Sequence, residues 1–333
     1  MPEALVDTFG RRVRDLRISI TDRCNFRCQY CMPSEGMAWL DRAELLTYEE
    51  QTRVARVAVE RFGIDSVRIT GGEPTVRAHL PRLVELLSPL GVDLALTTNG
   101  TRLPELAHDL AAAGLRRVNV SLDSLRPDTF RDLTRRDELP RVLAGIDAAV
   151  DAGLDPVKVN AVVIRGVNDD EVVDLAAFGR AKGVGVRFIE FMPLDAPGRW
   201  SMDQVVPAAE ILDRIDAVFP LDAAPTGGHV EPAARHRYRD GHGDVGVIAS
   251  VTEPFCGSCD RVRITAEGRF RTCLFALDEV DLRAILRSGQ PDPTIDDALA
   301  EALRGAVAAK WAGHRIGHVD FVRPARSMSQ IGG

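Results

Sequence analysis

Three cysteines crowd one short stretch, Cys24-Asn25-Phe26-Arg27-Cys28-Gln29-Tyr30-Cys31, with the spacing C-x3-C-x2-C. Thiolates this close hold iron, zinc or an iron-sulfur cluster far more readily than they form a strain-free disulfide framework. A four-iron four-sulfur cluster held by three cysteines keeps one iron without a protein ligand, and an open coordination position marks a reactive site. Zinc or an ordinary ferredoxin-like cluster is the competing reading, and both normally call for four ligands. Tyr30 sets an aromatic ring beside the open edge. A second trio lies far along the chain: Cys256-Gly257-Ser258-Cys259, then Cys273. Here a zinc ion completed by His236 or His242 is the alternative. Between Cys259 and Cys273 lies Arg261-Val262-Arg263, read as a strand, where a period of two puts both guanidiniums on one face. Such a pair suits phosphate, being planar, permanently charged and able to bind bidentately.

The elements that must position these groups follow one rhythm from Val13 to Met192: a short apolar and polar alternation, a turn, then a helical stretch. This predicts successive βα units. The expected strands are 16–21, 66–70, 93–98, 117–122, 157–163 and 186–192, and the expected helices are 48–62, 81–90, 103–113, 139–151 and 170–182. Thr47 followed by Glu50 predicts a capping box at the first helix. Six units are two short of a full (βα)8 barrel, which predicts a partial (βα)6 TIM-type barrel. In several strands one face is polar: Arg17, Ser19 and Thr21; Arg68 and Thr70; Asn119 and Ser121; Lys158 and Asn160. With helices on the apolar face these groups point inward, and burying them without partners costs about 1–3 kcal/mol each. An occupied polar cavity is therefore expected, the alternative being an antiparallel sheet with one face in water. Gly71-Gly72-Glu73-Pro74 falls after the second strand, at the strand ends where parallel α/β proteins bind ligands.

Beyond Leu194 the rhythm breaks at Gly198, Pro207 and Pro232, which places a boundary near Asp195. The expected domains are residues 1–194, the barrel, and 195–333, a smaller α+β domain with the second cysteine trio. That region should hold helices at 207–219 and 294–312 and a strand at 243–250. At 333 residues, with 45% apolar and 27% charged residues, the chain suits a soluble globular protein with a sizeable core. No apolar run long enough to cross a membrane is present, and residues 1–10 lack signal-peptide character, so a cytoplasmic location away from membranes is expected. Six cysteines in two clusters argue for metal ligation in a reducing compartment rather than a secreted scaffold. The net charge of −7 excludes an electrostatic footprint for nucleic acid.

The C-x3-C-x-aromatic-C loop followed by G-G-E-P resembles the radical S-adenosylmethionine (SAM) superfamily. Two features narrow the resemblance: the C-x2-C-x13-C set with its R-x-R, and the terminal Gly332-Gly333. Together with 16-LRIS-19, 22-DRCNFRC-28, 68-RITGGEP-74 and 119-NVSLD-123, they make the chain similar to the GTP 3′,8-cyclase family over almost its whole length. Asp260 stands where that family usually has Asn, and Thr75 where Leu commonly follows G-G-E-P. The resemblance implies two 4Fe-4S clusters, one on Cys24, Cys28 and Cys31, the other on Cys256, Cys259 and Cys273. It implies SAM contacts from Tyr30, Gly72, Ser121 and Met192, with the G-G-E-P motif at the SAM amino group. GTP contacts fall to Arg17, Arg68, Thr97, Lys158, Arg261, Val262 and Arg263. Arg17, Arg261, Arg263, Gly332 and Gly333 are implied as catalytic, the two glycines entering the active site where side chains would not fit. The implied reaction is SAM-dependent radical cyclisation of GTP, the first step of molybdenum cofactor biosynthesis, with a bond formed from C3′ of the ribose to C8 of guanine. Implied partners are an external low-potential electron donor and the cyclic pyranopterin monophosphate synthase that takes the product; a homodimer is one possible assembly. A radical SAM enzyme modifying a peptide or another small molecule is the runner-up, and a non-catalytic iron-sulfur or zinc module is the reading from another class.

Overall fold

The structure, a computed structural model, describes residues 2–195, 198–224 and 231–332. The expected βα rhythm is present: β1 (Asp15–Ser19), α1 (Tyr48–Phe62), β2 (Ser66–Thr70), α2 (Leu80–Leu87), β3 (Asp93–Thr98), α3 (Leu103–Ala112), β4 (Arg117–Ser121), α4 (Pro127–Thr134), α5 (Leu139–Asp151), β5 (Val157–Val163), α6 (Val172–Lys182) and β6 (Gly185–Glu190). The remaining chain adds α7 (Ala208–Asp216), β7 (Leu221–Ala223), β8 (Ala234–Tyr238), β9 (Asp244–Ile248), β10 (Arg261–Ile264), β11 (Arg269–Arg271), β12 (Val280–Asp281), α8 (Leu282–Leu286), α9 (Asp292–Ala308) and α10 (Met328–Ile331).

Local chemistry explains the boundaries. At α1 the Thr47 hydroxyl accepts from the Glu50 amide at 3.1 Å while Glu50 accepts from the Thr47 amide at 2.7 Å, the reciprocal bonds of a capping box. Gly63, at φ 67°, closes the same helix in the left-handed conformation that glycine takes without a Cβ penalty. The short helix α4 is not among the helices expected from the sequence; proline at its first position opens it.

The twelve strands among the described residues join one sheet in the order β12-β11-β10-β1-β2-β3-β4-β5-β6-β9-β8-β7. β1 to β6 are parallel in sequence order, and β10 and β9 pair parallel to the outer edges of β1 and β6. The parallel run is thus eight strands long, six from the βα units and two from the later chain. The added strands satisfy backbone groups that would otherwise stand open on the edges of the six-stranded sheet. Alternation sorts the faces: Leu16, Ile18, Val67, Ile69, Leu96, Val118, Val120 and Val159 are buried in the main apolar core with α1 to α3 and α5, and their polar neighbours line the opposite, concave face.

Candidate active site

The concave face encloses a cavity of about 710 Å3. Both cysteine trios line it, as do Arg17, Arg68, Thr97, Lys158, Arg261 and Arg263, together with Tyr30, Gly72, Ser121 and Met192. Val262 differs: its side chain is buried in the apolar core, on the opposite face of β10 from the two arginines. Gly333 lies outside the described residues.

Topology fixes where the cysteines stand. Cys24 comes five residues after the end of β1, whereas Cys259 comes two residues before the start of β10, whose Arg261 pairs with Asp15 at the start of β1. Because β10 runs parallel to β1, the two trios sit toward opposite ends of the strands. β1 itself spans about 13 Å at the usual rise per residue, and Arg17 is its midpoint. Across the sheet Arg17 is in register with Arg263 on one side and Arg68 on the other.

The first cysteine loop is clamped from several elements. The amides of Arg27 and Gln29 donate to the carbonyls of Thr134 and Leu133 at 3.0 and 2.9 Å. Arg135, at φ 55°, reaches back to the Arg27 carbonyl at 2.8 Å. Phe26 packs edge-on against Phe130 of α4 with ring centroids 5.9 Å apart. The amides of Gly72 and Glu73 donate to Thr21 and Arg23 at 2.7 and 2.8 Å. A Cβ on Gly72 would stand 2.5 Å from the carbonyl oxygens of both Asp22 and Arg23. Glycine is therefore required here by backbone packing under the cysteine loop, a constraint additional to close approach of a ligand.

Glu73 is 1% exposed. Its Oε1 accepts from the Thr75 amide at 3.0 Å and from the Thr75 and Thr98 hydroxyls, each at 2.6 Å; its Oε2 accepts from the Asn99 amide at 2.6 Å. Burial raises the Glu73 carboxyl above its ordinary range, against these bonds, which favour the charged form. Tyr30 is anchored by its hydroxyl, which donates to Asp123 Oδ2 at 2.6 Å, and Asp123 Oδ1 accepts from the Val162 amide at 2.9 Å. Burial pushes Asp123 up to about 6.

The cysteine chemistry fits iron-sulfur clusters. Burial pushes Cys24 up to about 12 and Cys31 to about 11, and burial with the neighbouring Cys24 and Cys31 raises Cys28 well above the usual thiol range. Such thiols ionise only with a strong local positive charge, which a metal centre supplies. Among the described residues no three His, Cys, Asp or Glu groups gather closely enough to hold one metal ion. Each trio instead lines a cavity wall with room for a multi-atom cluster. Neither His236 nor His242 reaches the second trio: they lie on β8 and in the turn after it, and neither lines the cavity. The histidine beside that trio is His314, whose amide bonds Cys256 and whose ring stands 5.0 Å from Phe275.

The cavity is crowded with cations. Arg17 Nε and Arg68 Nε and Nη1 are buried with no hydrogen-bond partner, and the nearest carboxylate to Arg17 is Asp15 at 3.8 Å. Burial, then repulsion from Arg263 and Arg261, depresses Arg17; burial and Arg261 bring Arg263 down to about 10; burial, then Arg187, brings Lys158 down to about 8. Unpaired buried charge is costly, so this wall is built to receive an anion. Arg187 belongs to the same wall and is held by Asp244 at 2.9 Å. It was not singled out in the sequence, although its place between Val186 and Phe188 in β6 is the alternation that identified the others. Asp260 also lines the cavity, its carboxyl raised by burial and by the like charge of Asp15.

Gly332 sits at the strand ends nearer the first trio. Its carbonyl accepts from Arg263 Nη1 at 2.6 Å, and a Cβ there would meet Thr70 Cγ2 at 2.9 Å and Ser19 Cβ at 3.0 Å.

Comparison with known proteins agrees with this geometry. The profile of the Radical SAM superfamily matches residues 18–179, and that of Molybdenum Cofactor Synthesis C matches residues 184–316. A GTP 3′,8-cyclase of Streptomyces coelicolor is 50% identical, covering 99% of this chain and 96% of that one. One from Acidothermus cellulolyticus is 53% identical over 91% and 85%, and one from Paenarthrobacter nicotinovorans 47% identical over 99% and 97%. Among solved structures, Streptococcus suis SuiB bound to S-adenosylmethionine superposes with a TM-score of 0.60 at 14% identity, covering 90% of this chain and 69% of that one. That likeness concerns the fold alone. With both cysteine trios on one cation-lined cavity and about half the sequence shared over full length, the chain belongs to the GTP 3′,8-cyclase family of radical SAM enzymes.

Proposed function

We infer that this protein is a GTP 3′,8-cyclase, converting GTP to (8S)-3′,8-cyclo-7,8-dihydroguanosine 5′-triphosphate with SAM and two 4Fe-4S clusters, for molybdenum cofactor biosynthesis. One observation carries the reading: two separate open cysteine trios face a single cavity whose wall is a row of cations, two of which, Arg17 and Arg68, have buried nitrogens with no hydrogen-bond partner. When bound, the first cluster supplies the electron that cleaves SAM and so generates the acceptor for the C3′ hydrogen of the ribose.

The chain's own residues do the rest. Arg17, Arg68, Lys158, Arg261 and Arg263 bind the triphosphate, and their pre-set row needs little reorganisation on binding. Thr97 contacts the nucleotide, and Val262 contributes through its backbone, since its side chain faces the core. Tyr30, Gly72, Ser121 and Met192 hold SAM, with Glu73 at its amino group. Arg17, Arg261, Arg263 and the terminal Gly332-Gly333 act at the reacting centre, the tail excluding water that would divert a radical. The two-part division at residue 194, a cytoplasmic location, a low-potential electron donor, hand-over to the cyclic pyranopterin monophosphate synthase and a homodimer complete the proposal. No helix among the described residues is long and apolar enough to cross a membrane.

The test uses anaerobically reconstituted protein, reduced with dithionite and given SAM and GTP. About eight iron atoms per chain, 5′-deoxyadenosine formed only when GTP is present, and matching GTP consumption are expected. Deoxyadenosine with GTP left intact would overturn the assignment.

A further inference from the structure

The second cysteine loop is held from behind by groups that do not line the cavity. Arg11 donates through Nη1 to the carbonyls of Cys256 and Ala312, each at 2.7 Å, and its charge is matched by Asp7 at 2.5 Å. Gly313 packs so tightly that a Cβ would stand 2.6 Å from Cys256 Cβ and 3.0 Å from its Sγ. Lys310, just past α9, is 3% exposed. Its ammonium donates to the carbonyls of Cys259 at 3.0 Å and Arg261 at 2.9 Å, and stands 3.9 Å from Cys259 Sγ.

Lys310 differs from Arg11 in one respect: among the described residues no carboxylate lies within ion-pair distance of it. Carbonyls satisfy its hydrogen bonds but not its charge, and a buried cation without a counter-charge is strongly disfavoured. Among the described residues the one acidic group within hydrogen-bond reach of the ammonium is the thiol of Cys259; Cys273 and Asp7 attract it from farther off, and Arg11 opposes them. A cluster bound by three thiolates is an anion, and reduction adds one more negative charge to it. A fixed cation against one of its sulfurs favours the more negative state.

We propose that Lys310 is the built-in counter-ion of the second cluster, a positioning residue that fixes the Cys256–Cys259 loop through its backbone and raises that cluster's reduction potential. The inference rests on the second trio holding a cluster, which the iron content of the unaltered protein tests separately.

Lys310→Gln keeps a donor for the two carbonyls and removes the charge; Lys310→Arg keeps the charge. Both full-length variants are loaded anaerobically, assayed for iron, and titrated by EPR-monitored reduction, with the signal that shifts on adding SAM assigned to the first cluster. K310Q should show a more negative midpoint for the SAM-insensitive signal, or lose that signal and about half its iron, while the SAM-sensitive signal is unmoved. K310R should keep the iron and the midpoint of the unaltered protein. A K310Q protein that loses both clusters while K310R keeps them also supports a need for the cation. Full iron and an unmoved midpoint in K310Q would overturn the proposal, as would equal loss in K310Q and K310R, since shape and not charge would then be at stake. About four irons per chain in the unaltered protein would instead sink the two-cluster reading.

Discussion

Lys158 shows how burial and crowding turn an ordinary side chain into a pH-sensitive contact. With its ammonium brought down to about 8 by burial and then by Arg187, it loses its proton as pH rises through about 8, where an exposed lysine would keep it. Binding of triphosphate favours the protonated form, so GTP affinity should fall above pH 8, by up to about tenfold per pH unit for one linked proton. Calorimetric GTP titrations from pH 7 to 9.5 check this, and Lys158→Arg should flatten the profile. Stability moves the other way: between about 8 and 10.5 the unfolded chain holds this proton and the folded chain does not, so this residue's contribution to apoprotein stability rises with pH. Thr75 carries the other prediction at this scale. It gives Glu73 two of its four bonds, one through the amide and one through the hydroxyl. Thr75→Val keeps the shape and the amide bond and deletes the hydroxyl, at a cost on the order of 1 kcal/mol. SAM binding should weaken roughly three- to tenfold, and unchanged SAM affinity by equilibrium dialysis would show that Glu73 is held well enough without it.

Elements decide which residues can meet, and here the reading of the chain succeeded unevenly. The period-two alternation exposed Arg17, Arg68, Asn119 and Lys158 as inward-facing, because a parallel strand covered by helices leaves its polar side only one place to go. The same rule applied to β6 would have found Arg187. What the alternation could not disclose was non-local: Lys310 looks like any helix-end lysine, and its value comes from a loop 51 positions earlier in the chain. Likewise the glycines of G-G-E-P read as room for a ligand, while Gly72 is confined by Asp22 and Arg23 backbone. Gly72→Ala should accordingly displace the first cysteine loop. Iron should fall from about eight to about four per chain, with the SAM-insensitive cluster retained. The tail is a second such element. Gly332 is at φ 83°, and a Cβ would press on Ser19 and Thr70, so Gly332→Ala, or a tag added after Gly333, should lower turnover with both clusters fully loaded. Wild-type turnover in a tagged protein would remove the tail from the reaction.

At the scale of the molecule, the two cysteine trios work on one cavity only because the later chain returns to the barrel it left. β10 adds to β1 and β9 adds to β6, so the strands expected as a separate small domain extend the sheet of the βα units at both edges. The connection is reinforced outside the sheet, where Arg53 and Arg56 of α1 bond Asp296 of α9, each at 2.7 Å, and buried Leu299, Leu303 and Val307 of that helix belong to the main core. The proposed division near residue 194 marks where the βα rhythm ends along the chain; composition reports that local change and carries no record of which edges later strands will cover. Residues 1–194 expressed alone would expose both long edges of a six-stranded parallel sheet and the apolar surface beneath α9, a combination that favours association over folding. The fragment should aggregate or unfold without a cooperative transition, while the full chain unfolds in one; circular dichroism melts and size-exclusion chromatography decide it. A soluble, cooperatively folding fragment would mean that the βα units carry their own stability and that β9 and β10 dock on a finished barrel, leaving the late strands to bring the second cysteine trio to the cavity without building its walls.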